Sequence, residues 1–166
     1  MKSVIILGTS RNQGNTAHLT QYIATQINAE VIDLATYHIQ PYDYEHNNQD
    51  DDFATLIQHL LGYDQWIFAS PIYWYSPSAT MKLFLDRMCD LIEVDKSRGR
   101  ALKDKFSRVI ATGAAEQADD GFEAIFSQTS SYFAMQYQGM LYCRCQSSFE
   151  VDKHNEAIEQ FTQQLQ

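Results

Sequence analysis

Apolar positions along this chain switch repeatedly between two rhythms. Val4, Ile5, Ile6 and Leu7 run without interruption to Gly8, which predicts a strand over residues 3–8 buried on both faces. From 16 to 27 the rhythm changes: Leu19, Ile23 and Ile27 recur every four residues, as on one face of a helix. A second short strand follows at 30–34 (EVIDL), then a polar and aromatic stretch from Ala35 to Asp50, containing Pro41, that predicts a loop. Residues 51–61 set Phe53, Leu56, Ile57, Leu60 and Leu61 on one side of a helix stopped by Gly62.

The alternation continues to the C-terminus. QWIFAS, 65–70, predicts a strand ending at Pro71, and Ser76 before Pro77 has the form of an N-cap and first-turn pair. That pair would open a long helix through 78–92, with Met81, Leu85, Met88 and Ile92 on one stripe. Then come a strand at 106–112 closing at Gly113, a helix over about 121–134, a strand at 137–144 and an amphipathic helix at 154–165. The last carries Ala157, Ile158, Phe161 and Leu165 inward. Strands alternating with helices predict a parallel sheet covered on both faces. Five such units in 166 residues, with no repeat and no linker, fit one doubly wound domain of strand order 2-1-3-4-5.

In that topology the segments after strands 1, 3 and 4 converge on one rim, and all three are chemically marked. The first is GTSRNQGNT. At a helix start the backbone N–H groups are unpaired and the aligned peptide dipoles favour an anion. Ser10, Asn15 and Thr16 add short donors, Arg11 adds charge, and Gly14 permits a tight turn. The bland alternative is a helix capped by Asn15 with Arg11 in solvent. The spacing is neither GxGxxG nor GxxxxGK[ST], so it marks neither a dinucleotide nor a nucleoside triphosphate site.

The second marked segment, SPIYWYSPSA, puts Tyr73, Trp74 and Tyr75 in succession at the rim. Neighbours in an extended segment face opposite ways, so all three are hard to bury together. A flat conjugated ligand would use such a surface, and so would a subunit interface. The third, ATGAAEQADDG, begins with small residues that let backbone donors approach a ring edge, followed by Glu116, Asp119 and Asp120 as solvated loop carboxylates.

Charge narrows the classes of partner. Asp and Glu number 21 against 12 Lys and Arg, a formal net charge of -9, which disfavours nucleic acid and anionic membranes. Any phosphate must be held by a local arrangement that overcomes the global field. MKSVIILG is too short and too quickly polar for a signal peptide, and no stretch reaches the length of a membrane span, so a cytoplasmic protein is expected. Cys89, Cys143 and Cys145 fit a reducing compartment, the last two as strand cysteines. The five histidines are scattered without HExxH or a triad pattern, and Arg87 is expected to be a structural or interface arginine.

GTSRNQGNT, SPIYWYSPSATMKLFLDR and ATG together resemble the NADPH-dependent FMN reductase and iron–sulfur-flavoprotein branch of the flavodoxin-like superfamily. The likeness extends over essentially the whole chain, and the middle motif is its most specific part. It implies noncovalent FMN, with electrons passing from NADPH or NADH to a small acceptor such as a quinone, free flavin, or nitro or azo compound. It puts the FMN phosphate on Ser10, Arg11, Asn15 and Thr16, the ring along Pro71, Ile72, Tyr73 and Trp74, and its pyrimidine edge near Thr112, Gly113 and Ala114. No catalytic side chain and no metal ligand are implied, because the flavin carries the hydride chemistry. Residues 35–52 hold none of the cysteines of the iron–sulfur members, so no cluster is expected. Relatives commonly form homodimers or homotetramers. The alternative functions are a flavodoxin-like electron carrier without efficient nicotinamide turnover, or a cofactor-free interaction domain.

Overall fold

A computed structural model describes residues 1–165. Its central sheet contains β1 (Ser3–Leu7), β2 (Glu30–Asp33), β3 (Gln65–Tyr73), β5 (Phe106–Gly113) and β6 (Gln136–Arg144), all parallel in the order β2-β1-β3-β5-β6. The five-stranded expectation needs one correction. A sixth strand, the two-residue β4 (Ser76–Pro77), folds back antiparallel on the end of β3, pairing Tyr73 with Ser76 and Ile72 with Pro77. Without β4 the spatial order is the expected 2-1-3-4-5.

Alternation within the strands explains the two covered faces. Val4 and Ile6 of β1, with Trp66 and Phe68 of β3, enter one core; Ile5, Leu7, Ile67 and Ala69 enter the other. Against the second face pack α1 (Asn15–Ile27), through Leu19 and Ile23, and α7 (Asn155–Gln163), through Ile158 and Phe161. The first face is covered by α2 (Phe53–Leu60), α3 (Ala79–Arg87) and α6 (Asp120–Tyr132), which supply Phe53, Leu56, Phe84, Phe122 and Phe126.

The helix expected over 78–92 is broken, and its start is displaced. Ser76 and Pro77 belong to β4, and Ser78 is the cap, its Oγ accepting from the Met81 N–H at 3.1 Å. After Arg87 the bonds tighten to i→i−3, with Leu91 donating to Met88 and Ile92 to Cys89. The chain continues as the short helices α4 (Asp90–Glu93) and α5 (Lys96–Arg100), the second capped by Asp95.

Arg87 accounts for the break, and the structural half of its expectation holds. Only 2% exposed, it donates to Asp90 Oδ2 at 3.0 Å, to the carbonyls of Gln40 (3.0 Å) and Asn48 (2.9 Å), and to Asp51, while stacking over the Phe53 ring. One guanidinium thereby ties the long 37–52 loop to the sheet-covering helices. Burial pushes the Asp51 carboxyl up, but Arg87 and the amides of Gln40 and Phe53 outweigh it and hold Asp51 below its ordinary range.

Candidate active site

Parallel register brings the loops together. Leu7 pairs with Ala69, Pro71 with Thr112, Thr112 with Cys143 and Gly113 with Arg144, so the segments leaving β1, β3, β5 and β6 emerge along one edge. Beneath them lies a tight weld. Ser78 Oγ donates to the Gly8 carbonyl at 2.7 Å, and Ser78 N–H donates to Ser70 Oγ at 3.0 Å. A Cβ on Gly8 would lie 2.7 Å from Met81 Cβ and 2.9 Å from Met81 backbone, so the strand must end in glycine for α3 to start where it does.

Above the weld is a cleft of about 210 Å³. Arg11, Asn15, Thr16, Pro71, Ile72, Tyr73, Thr112, Gly113 and Ala114 all line it, with Thr9, Gly14 and Cys145 completing the wall. Among the described residues Arg11 is the sole charged one in that lining. An acidic protein thus has a carboxylate-free cleft where α1 begins. Gly14 is the N-cap and makes no side-chain capping bond, leaving the first-turn amides of this 13-residue helix without an intrahelical or side-chain partner.

The individual side chains hold different jobs. Thr16 and Thr112 share a buried hydroxyl–hydroxyl bond of 2.7 Å, which joins α1 to β5. Ser10 is outside the cleft wall and bonds the Tyr73 hydroxyl at 3.0 Å, linking the first loop to the aromatic one. Asn15 neither caps α1 nor has a free amide group. Its Nδ2 donates to Ser147 O at 2.6 Å and its Oδ1 accepts from Phe149 N–H at 2.9 Å, gripping the loop after β6. Only its backbone N–H remains turned to the helix terminus.

A second recess of about 380 Å³ shares Ile72, Gly113 and Ala114 with the first and extends past Trp74, Tyr75, Gln117, Asp119 and Tyr142. Trp74 and Tyr75 are not extended as the aromatic run predicted. They form the two-residue loop between β3 and β4, with φ of 48° and 65°. Positive φ at both central positions is the mark of a type I′ hairpin turn, normally built from Asn and Gly. Trp74 stands 92% exposed, so packing does not account for the conformation.

On the opposite wall, Tyr142 Oη donates to Ala115 O at 2.7 Å, and Arg144 Nε donates to Ala114 O at 3.3 Å. Arg144 also pairs with Glu116 at 3.1 Å, and Asp119 caps α6 through the Gly121 N–H at 2.8 Å. Of the three loop carboxylates, one is therefore ion-paired and one is a helix cap. A Cβ on Gly113 would sit 3.0 Å from Tyr142 Oη and press on the hydroxyl that holds the Ala115 carbonyl.

Thr9, Tyr142, Arg144 and Cys145 were missing from the sequence-derived site. All but Thr9 lie on or just after β6, and parallel pairing with β5 was the signal that would have placed them at the rim. Burial pushes the Cys145 thiol up, and it raises Cys143, inside the strand, to about 12, so neither is activated as a nucleophile.

This donor set fits a phosphorylated flat ring. A helix terminus, Arg11 and hydroxyls stand at one end, and small residues and aromatics line the adjoining recess. The profile of the family described as NADPH-dependent FMN reductase matches residues 1–164. The chain belongs to that family. Membership makes FMN the cofactor and NAD(P)H the electron donor of an oxidoreductase.

A Bacillus subtilis (strain 168) relative, provisionally named NAD(P)H-dependent FMN-containing oxidoreductase YwqN, is 31% identical over 151 residues, covering 84% of this chain and 82% of its own. An NADPH azoreductase from Bacillus sp. (strain OY1-2) is 32% identical over 87 residues, covering 52% of this chain and 49% of its own. Among solved structures, the Trp repressor binding protein from Bacillus subtilis superposes with TM-score 0.79 at 24% identity, over 99% of this chain and 98% of its own. A flavodoxin, WrbA-like protein from Agrobacterium tumefaciens gives TM-score 0.65 at 16% identity, over 99% of each chain. These two likenesses establish the flavodoxin-like fold.

Proposed function

We propose that the chain works as one FMN-binding domain whose two adjoining recesses divide the cofactor between them, and that it passes electrons from NADPH or NADH to a small acceptor of the quinone, free flavin, nitro or azo type. The observation that carries this reading is the charge of the cleft: among the described residues Arg11 is its sole charged one, although the protein is net negative by nine. The backbone amides of Asn15 and Thr16, with Arg11, would hold the phosphate, and Ser10 would steady that loop through its bond to Tyr73. Pro71, Ile72, Tyr73 and Trp74 would flank the ring, and Thr112, Gly113 and Ala114 would lie at its edge.

FMN supplies hydride acceptance and electron donation, so the protein need supply only binding and electrostatics. The Thr16–Thr112 and Ser10–Tyr73 bonds fix the loops relative to one another, which preorganises their backbone donors. Tyr142 and Arg144 hold the Ala114–Ala115 carbonyls back, leaving the small residues of that loop facing the recess. Asn15 acts as a positioning residue, fastening the loop at 147–149 beside the helix terminus.

The same proposal includes self-association through the exposed Trp74 and Tyr75, as a homodimer or homotetramer, and a cytoplasmic setting suited to three free thiols. No helix among the described residues is long and apolar enough to cross a membrane. The test is an absorbance titration with FMN followed by anaerobic NADPH and then NADH. Retained flavin bands that bleach with nicotinamide support the reductase. Bands that bleach only with dithionite favour a carrier, and failure to retain FMN overturns the site.

A further inference from the structure

At the other end of the sheet, beside the amino ends of β5 and β6, lies a pocket of about 410 Å³ unrelated to the cleft. Leu91, Ile92, Tyr132 and Phe133 give it an apolar lining. Its rim carries Lys96, Arg100 and Lys103, and no carboxylate of the described residues lines it. Among the described residues none of these three cations makes a side-chain hydrogen bond or ion pair, whereas Lys82, Arg87, Arg98, Arg144 and Lys153 each have an acidic partner. Unpaired cations gathered in an acidic chain are a charge distribution the fold itself does not use.

Helix ends oppose an anion here, among them that of the five-residue α5, whose last turn carries Arg100 itself. The pocket also adjoins the C-terminal end of α6, whose aligned dipoles amount to about half a negative charge. Three full positive charges outweigh them. The last carbonyls are also engaged by backbone: Ala134 O accepts from Asp104 N–H at 3.0 Å, and Ser130 O accepts from Met135 N–H at 2.9 Å. The cations are therefore not needed as caps.

We propose that this pocket binds a small organic anion with a flat or short apolar body, the body against Leu91, Ile92 and Phe133 and the anionic group among Lys96, Arg100 and Lys103. Apolar lining gives the binding surface, and the three side chains set the sign of the ligand. A bare inorganic anion would leave the apolar floor unused, and a neutral ring would leave the cations unused. The site is independent of the cofactor cleft.

Calorimetric titration of the protein in excess FMN tests this, with 2-naphthoate as probe and 2-naphthamide as its uncharged counterpart. The naphthoate is expected to bind at least about tenfold more tightly than the amide, and Arg100→Glu/Lys103→Glu to weaken it by about tenfold or more, as replacing two surface attractions by repulsions implies. Both positions are exposed and unpaired, so the variant should melt like the parent. Lys82→Gln, a cation elsewhere, should bind the probe normally. Equal affinity for acid and amide, no binding by the parent protein, or undiminished binding by the charge-reversed variant would each overturn the proposal.

Discussion

The strained turn at Trp74–Tyr75 permits a test in which stability and activity move in opposite directions. Left-handed backbone costs a non-glycine residue about 1–2 kcal/mol. The two positions together therefore hold about 2–4 kcal/mol of strain at φ 48° and 65°. Replacing them by the preferred turn pair, Trp74→Asn/Tyr75→Gly, relieves most of it. Glycine's greater freedom in the unfolded chain takes back about 0.4–1 kcal/mol. Little packing is lost, since Trp74 is 92% and Tyr75 68% exposed. The net expectation is a gain of about 1–2 kcal/mol, or roughly 3–6 °C in Tm for a chain of this size. Scanning calorimetry of the FMN-free protein reads the gain. NADPH-dependent turnover in excess FMN reads the loss expected if the aromatics serve the ligand that shares their recess. A Tm that stays or falls would refute the strain. A raised Tm with unaltered turnover would refute the idea that function retains it.

Other consequences are narrower. Arg11→Ala should weaken FMN binding while leaving the urea midpoint unchanged, because Arg11 is exposed and makes no ion pair among the described residues; fluorescence titration of FMN checks it. Thr16→Val leaves the buried Thr112 hydroxyl without its partner and should cost about 1–3 kcal/mol, while adding Thr112→Val should cost less than the sum of the two single changes, as a urea double-mutant cycle would reveal. Gly8→Ala forces a Cβ against Met81 backbone and should lower stability by about 1–3 kcal/mol by the same assay. The Asp51 carboxyl, held below its ordinary range by its partners, stabilises the fold above its unfolded-state value of 3.8 and loses that contribution as pH falls through its folded value. The stability gap between parent protein and Asp51→Asn should accordingly be present near neutrality and close on acidification.

What the sequence revealed was periodic, and what it hid depended on long-range partners. Strand β1 was legible because Val4–Leu7 is apolar on both faces, as are the runs Trp66–Ala69 of β3 and Val109–Ala111 of β5. The break after α3 was not, because Met81, Leu85, Met88 and Ile92 keep a helical stripe straight through it. Only a buried arginine reaching Gln40, Asn48 and Asp51 reveals why the chain turns there. The Trp74–Tyr75 turn was concealed by its composition, since two aromatics are poor turn formers and the hairpin exists only through pairing of Tyr73 with Ser76. Asn15 suggested a cap or an anion ligand from its position before a helix. Its two partners lie more than 130 residues away, beyond any local pattern.

Those same long-range bonds explain how an acidic chain can keep an anion cleft. Global charge sets the field at a distance, but that field is screened over about 8 Å at physiological salt. Within the cleft the field depends on what the nearest carboxylates are doing. Glu116 faces Arg144 and Asp119 caps α6, so the loop that brings carboxylates to the rim also neutralises or redirects two of them. Releasing Glu116 by Arg144→Ala would return one negative charge to the edge shared by both recesses. It would free the Ala114 carbonyl as well, so cofactor affinity should fall although Arg144 does not line the phosphate cleft. Restoring affinity with Arg144→Ala/Glu116→Gln would assign the loss to the unpaired charge, and failure to restore it would assign it to the freed carbonyl.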